Sequence, residues 1–319
     1  MIVRPQASVR IVLHLRVIAP PELRDDLVEL LEREPGVAHI ALHKQAGIDP
    51  AGDLLTADIA REVANDVVEQ LKALGLADRG AITMEAIDTV VSKAAYRAEK
   101  KAPGDPADAL VWEELIGRTR EESTLNLTFL LFLCLACLIA AIGVITDSTV
   151  TVVGAMVVGP EFGPLAALSV ALVRRRMDLA RRASTALAVG FPVAMVVTAL
   201  ATLAGEAVGW VDLGNLREFR HVDFIFQVGP LSVVVALFAG AAGMLSLVSA
   251  KSAALVGVFI SVTTVPAAGF AVVAATTGDW DVVAKSVAQL AINLVCITVA
   301  GVLVLTVRRG GTSNRLMRS

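Results

Sequence analysis

The sequence predicts a multi-pass α-helical membrane protein carrying an N-terminal α+β domain of ferredoxin-like type, and three observations predict it. The first 120 of the 319 residues hold most of the charged side chains. From Leu125 onward apolar runs of roughly 20 residues, the length that crosses about 30 Å of hydrocarbon, follow one another with short polar breaks. Before residue 92 the hydrophobic period alternates between two and about 3.6 in the order strand, helix, strand, strand, helix, strand. The mean hydropathy of +0.70 is an average over these two unlike parts.

Each element of the N-terminal part has its own signal. Residues 8–18, "SVRIVLHLRVI", set Val9, Ile11, Leu13, Leu15 and Val17 on one face and Arg10, His14 and Arg16 on the other, which reads as a half-buried strand. Leu23, Leu27, Leu30 and Leu31 recur at helical spacing until Pro35-Gly36 stops them. "VAHIALH" (37–43) and "DLLTADI" (53–59) read as the next strands, joined by a loop holding Asp49-Pro50 and Gly52. Val63, Val67, Leu71 and Leu74 mark a second helix closed by Gly75, and "AITMEAIDTV" (81–90) is the last strand. In such a sandwich helices cover one sheet face and the other stays open. The open face is expected to carry Arg10, His14, Arg16, His39, His43 and Glu85, as a docking surface or a metal or small-anion regulatory site. Asp58 fits that face or a helix N-cap.

The domain limits follow: 1–92 for the ferredoxin-like domain and 93–107 for a linker rich in Lys, Ala, Pro and Gly. Residues 108–123, with Leu110, Val111, Leu115 and Ile116 on one side, predict an amphipathic helix on the membrane surface or an extension of the first span. The transmembrane domain covers 124–308, and 309–319 form a tail. Six spans fit, at about 125–145, 149–172, 183–205, 230–249, 252–275 and 282–307.

Arginine and lysine set the orientation. Arg174, Arg175, Arg176, Arg181 and Arg182 follow span two, Lys251 follows span four, and Arg308, Arg309, Arg315 and Arg318 follow span six. The other side carries mainly acids, so both termini are expected to be cytoplasmic in an inner cell membrane. The arginine cluster reads as a topology determinant, with anionic-lipid binding as the alternative. "VVGAMVV" (152–158) resembles "LVGVFIS" (255–261), each in the middle of a three-span set, which suggests a 3+3 inverted repeat.

"VGAMVVGPEFGPL" (153–165) raises the functional question, because it puts a carboxylate, Glu161, between Gly159-Pro160 and Gly163-Pro164 within an apolar run. Proline removes a backbone donor, and hydrocarbon satisfies no freed carbonyl. An acid at the bilayer centre costs roughly 2.5–3.5 kcal/mol on insertion scales. Both features call for a polar cavity. Its expected members are Glu161 as the cation- or proton-carrying group, Asn293, Gln289 and Thr263 or Thr264 as neutral ligands, and Lys285 as a counter-charge. Lys285, Gln289 and Asn293 recur every four residues on one helical face. Pro266 joins the helix-break set. The bland alternatives are a structural hydrogen bond at Glu161 and helix-packing glue along the polar stripe.

Composition and motifs exclude other classes. A net charge of −3 with no basic arm argues against nucleic acid. The N-terminus lacks signal-peptide features, so the first span is expected to act as the membrane address. Cys134, Cys137 and Cys296 all fall in expected spans and read as packing residues, with no metal site implied. There is no P-loop, no His-Glu-x-x-His and no nucleophile with a base, so no enzyme and no particular cofactor are expected. The expected partners are membrane lipid and a small ion or solute, with homo-oligomerisation left open.

"GDLLTADIAREVANDVVEQLKALGL" and "GAITMEAIDTVVS" together with "VVGAMVVGPEFGPLAAL" and the basic loop resemble the domain-of-unknown-function family 389 of hydrophobic bacterial membrane proteins. The resemblance spans residues 8–308 and implies membrane topology, with no established activity. Glu161 departs from the Ser-Pro form of the cassette that members of that family typically carry, so the resemblance implies no family-wide role for the acid. Two functions are weighed: a transporter or channel with a cytoplasmic regulatory domain, and a membrane-anchored sensor or oligomeric scaffold. An anchor has no need of a mid-membrane acid beside broken helices, which favours transport.

Overall fold

The computed structural model describes residues 12–87, 89–104, 109–210, 229–248 and 264–316. It divides into two compact units, Met1–Glu114 and Leu115–Ser319.

In the first unit, strands β1 (Val12–Ala19), β2 (Val37–Ile48), β3 (Ala51–Ala60) and β4 (Ala81–Ile87) form one sheet in the order β2-β3-β1-β4, with every neighbouring pair antiparallel. Helices α1 (Arg24–Arg33), α2 (Ala64–Ala73) and the single turn α3 (Leu76–Arg79) lie between strands. The core follows from the alternation: Leu13, Leu15 and Val17 of β1 and Leu55, Ala57 and Ile59 of β3 bury one sheet face against Leu27 and Leu31 of α1 and Val67 and Leu71 of α2. Each such large side chain contributes roughly 1.5–3 kcal/mol on leaving water. Gly75 ends the α2 region with φ +77, a conformation that costs other residues a Cβ clash.

The structure bears on three expectations. Asp58 lies inside β3 and not at a helix N-cap, because the strand runs on to Ala60. The expected linker contains a helix, α4 (Lys93–Lys101), started by Ser92, whose Oγ accepts from the amides of Ala94 and Ala95. The expected amphipathic helix is present as α5 (Trp112–Glu122). Its first turn is held in the first unit: Asn65 donates to the Leu110 carbonyl, Trp112 N–H donates to Asn65 Oδ1, and Lys72 and Arg61 pair with Glu113 and Glu114.

One buried acid escaped the sequence reading. Asp53 is fully buried and accepts from Arg24 Nε at 2.5 Å and from the Gln45 amide at 2.7 Å. The Arg24 hydrogen bond, then the Gln45 amide, hold its carboxyl below the usual carboxylate range. A lowered folded-state value means stabilisation that is complete above the unfolded carboxylate range, near 3.9, and is lost as pH falls through the folded value. Asp53→Asn is therefore expected to lower the melting temperature at neutral pH and to flatten the acid limb of stability below about pH 4, read by thermal melts across pH. An unchanged acid limb would remove Asp53 as a source of that pH dependence.

The second unit is helical. Helix α6 (Leu127–Ile145), α7 (Thr149–Val158), α8 (Phe162–Arg174), α9 (Met177–Ala207), α10 (Pro230–Val248), α11 (Thr264–Thr277) and α12 (Trp280–Leu316) follow one another. Four of them are long and apolar enough to cross a membrane; α7 and α8, bent by 52° at a short break, make a fifth when counted together. The fifth span expected from sequence is described only from Thr264 onward, so the described residues give four or five candidate spans plus the short apolar α11. Small residues let the helices close up: Gly269 of α11 meets Ala140 and Ala141 of α6, Gly240 meets Ile297 and Ala300 of α12, and Gly190 meets Phe129 and Leu133. Ser169 Oγ lies 3.0 Å from the carbonyls of both Leu165 and Thr298, tying α8 to α12.

Candidate functional site

The break between α7 and α8 occupies Gly159, Pro160 and Glu161. Gly159 is extended, with φ −66 and ψ 131, as a residue before proline prefers, and Pro160 cannot continue the amide ladder of α7. Gly163 and Pro164, expected to be a second break, instead lie in the first turn of α8. A proline there loses nothing, since the first amides of a helix lack intrahelical partners in any case. Pro266 lies inside α11, near the first described residue of that segment.

The break meets α11. Glu161, 1% exposed, immediately precedes α8, and Thr264, also 1% exposed, opens α11. Thr264 Oγ1 donates to Glu161 Oε1 at 2.6 Å. Glu161 Oε2 is buried without a partner among the described residues. A Cβ on Gly159 would run into that same oxygen and into Val265, so the glycine leaves the room in which the carboxylate sits. Glu161 also does not cap α8 with its side chain, although it occupies the cap position. The side chain reaches instead to Thr264 of the neighbouring helix.

The remaining expected members are distributed. Thr263 and Arg10 lie outside the described residues. Gln289 and Asn293 are buried; Gln289 Nε2 donates to Asn293 Oδ1 at 3.0 Å, and Ser232 Oγ of α10 lies 3.4 Å from Gln289 Oε1. Lys285 is paired with Asp281 at 2.5 Å at the exposed start of α12, a position that gives no counter-charge to a fully buried acid. Sequence reasoning missed Ser286, fully buried with an unpartnered hydroxyl among the described residues. With Gln289 and Asn293 it makes an i, i+3, i+7 stripe; the four-residue ladder built on Lys285 hid it.

The open sheet face of the first unit holds a second cluster. His14 Nδ1 is 2.8 Å from Asp58 Oδ1, His39 Nδ1 is 2.6 Å from Asp58 Oδ2, and His39 Nε2 is 2.6 Å from Ser92 Oγ. Asp58 lies opposite His14 on β3, and Glu85 lies opposite it on β4. His39 reaches the carboxylate because β2 is irregular between Ala38 and Ala41, with His39 at φ 54, so its ring is re-aimed. His43, beyond the irregularity, is exposed, as is Arg16. The chain Asp58–His39–Ser92 ends on the residue that caps α4. Removing the cap with Ser92→Ala is expected to cost roughly 1 kcal/mol, seen as about fivefold faster amide exchange over residues 94–98. Unchanged exchange would show that α4 does not depend on it. Among the described residues no group of three or more His, Cys, Asp or Glu side chains is arranged to hold a metal ion.

A bundle of apolar helices with one broken pair and a buried acid at the break defines the class: a multi-helix membrane protein. Residues 156–299, which contain that break, match the profile of the Domain of unknown function (DUF389). It is also similar to an uncharacterised protein of Methanocaldococcus jannaschii, 27% identical over 168 residues, which cover 53% of this chain and 50% of the relative. The chain thus spans about half the length of the curated relative it matches. No solved structure matches the chain.

Proposed function

We propose that the protein is an integral membrane transporter or channel for a small ion or solute, with Glu161 as the group that takes up and releases the coupled proton or cation. The observation that carries this reading is the Glu161–Thr264 pair: a carboxylate 1% exposed, at a helix break, with one oxygen held by a hydroxyl and the other without a partner among the described residues. A structural acid would have both oxygens satisfied, since an unmet polar group in such surroundings costs a few kcal/mol. A broken helix pair that places an ionisable group against a neighbouring helix is an arrangement secondary transporters use at their binding sites. One carboxylate and one hydroxyl suit a proton better than a dehydrated Mg²⁺ or Ca²⁺, which asks for six or more oxygen ligands. Buried Ser286, Gln289 and Asn293, with half-buried Ser232 beside Gln289, supply a polar stripe within the same helical unit.

The same reading takes six spans, counting α7 with α8 and the apolar stretch that contains α11, with both termini cytoplasmic in an inner membrane as the arginine distribution favours. The β2-β3-β1-β4 order supports a ferredoxin-like fold for the first unit, acting as a regulator or assembly element. The test is proton movement in vesicles reconstituted with the full chain, driven by an imposed potassium diffusion potential and followed with an internal pH dye. Faster pH change than in protein-free vesicles is expected; rates equal to protein-free vesicles throughout pH 5–8 would end the proton-linked version. A second reading, a membrane sensor or scaffold that does not transport, draws on the Asp58–His39–Ser92 chain, which connects the open sheet face to the cap of α4. It predicts no flux, and ligand-dependent change in amide exchange at α4.

A further inference from the structure

A groove of about 640 Å³ opens between α8, α9 and α12. It runs from Leu165, Pro192 and Leu290 at one end to Leu172, Ser184 and Val299 at the other. The stretch from Leu290 to Val299 rises about 14 Å, roughly half of a ~30 Å hydrocarbon core. Leu172 and Val299 are 55% and 45% exposed, so the groove opens to the surroundings of the bundle. Its wall is almost wholly hydrocarbon, and Pro192, within α9, leaves the Ala188 carbonyl on that wall without its usual helical donor.

The end marked by Leu172 and Ser184 lies beneath the arginine turn. Arg175, in the left-handed conformation that terminates α8, comes three residues after Leu172. Arg181 precedes Ser184 by three residues and Ala188 by seven, which places it on the groove face of α9. Arg176 is tied to Asp178, and Arg182 donates to Thr124. Arg175 and Arg181 are exposed and have no ion-pair partner among the described residues. An apolar slot half a bilayer long, with two exposed guanidinium groups at its polar end, where Asp178 is taken up by Arg176, complements one chemical class: a phosphate ester with a negative net charge attached to an acyl chain. A zwitterionic headgroup would bring an ammonium with no carboxylate to meet it, since Asp178 already binds Arg176.

We propose that this groove binds one anionic phospholipid from the leaflet on the side of the arginine turn, with an acyl chain between α8, α9 and α12 and the phosphate on Arg175 and Arg181. The site does not depend on transport and stands whether or not Glu161 carries a proton.

The experiment uses the full chain, delipidated in detergent, titrated with phosphatidylglycerol or with phosphatidylcholine of the same acyl chains. Phosphatidylglycerol is expected to raise the melting temperature by roughly 5 °C more than phosphatidylcholine at saturation. The double variant Arg175→Gln with Arg181→Gln is expected to remove that difference, and Ala188→Trp, which fills the slot, to remove the response to both lipids. Native mass spectra of the wild-type protein are expected to retain one phosphatidylglycerol and no phosphatidylcholine, a readout that needs no variant to fold. Equal stabilisation by the two lipids, an undiminished difference in the arginine variant, or stabilisation by glycerol phosphate without acyl chains would each overturn the proposal. So would a cross-linked dimer of the Ala188→Cys variant in phosphatidylglycerol membranes, because the occupant would then be a second copy of the chain.

Discussion

Glu161→Gln leaves the protein folded and reduces proton-linked flux by about tenfold or more, because the amide keeps the shape and the acceptor for Thr264 but exchanges no proton. The side-chain oxygen that takes the Thr264 hydrogen bond survives the change, so the contact between the starts of α8 and α11 persists. Stability is expected to stay level or rise, since a buried acid without a partner on its second oxygen is replaced by a neutral group. Retained stability with lost flux separates a carrier of charge from a structural acid; a structural acid would give lost stability with retained flux per folded molecule. Thr264→Val is the companion: it removes the donor to Oε1 and is expected to move the pH at which flux is half-maximal, while leaving the ion carried unchanged. Flux by Glu161→Gln equal to wild type across pH 5–8 would take the residue out of the mechanism.

Gly269→Leu is expected to abolish the folded membrane unit. A Cβ at this position would lie 2.8 Å from Ala140 Cβ, closer than real Cβ contacts come, and 3.1 Å from the Ala141 amide nitrogen, tighter than most, and backbone cannot give way as a flexible side chain can. Helices α6 and α11 would have to separate along a face where Ala267, Ala268, Phe270 and Ala271 are all buried. Overpacking a core costs about 1–3 kcal/mol for added methylenes that can be accommodated, and more where backbone is struck. Size-exclusion chromatography of the detergent-purified variant should show loss of the monodisperse peak. Gly154→Ala, where an added Cβ meets nothing within 4 Å, is the control and should behave as wild type. A monodisperse, thermally unchanged Gly269→Leu protein would contradict the α6–α11 packing described.

The two parts of the chain were legible to different degrees. Alternation in "SVRIVLHLRVI" put Leu13, Leu15 and Val17 on the buried face because a strand has a period of two whatever its neighbours are. The helical apolar runs were equally legible, since length against bilayer thickness is a local property. The cassette pointed to Glu161, and the packing pairs it with Thr264 from a segment 103 residues away. Lys285 was misassigned because helical spacing says which face a residue occupies, and not that Asp281 one turn earlier will take its charge. Ser92, at the boundary between domain and linker, was passed over, and Asp58 was divided between the open sheet face and a helix cap. Their connection through His39 exists only because β2 loses register between Ala38 and Ala41, an event set by pairing with β3.

By itself the sequence determined the membrane class, the α+β unit before it and the presence of an acid at a proline break, because hydrophobic period, run length and proline's missing donor act within a few residues of chain. Tertiary structure decided which hydroxyl meets that acid, which oxygen is left over, that His14 and His39 share Asp58, and that a groove lies under Arg175 and Arg181. Those depend on how helices and strands distant in sequence cross and pair, and crossing is settled by the packing of small residues such as Gly240 and Gly269 against their neighbours.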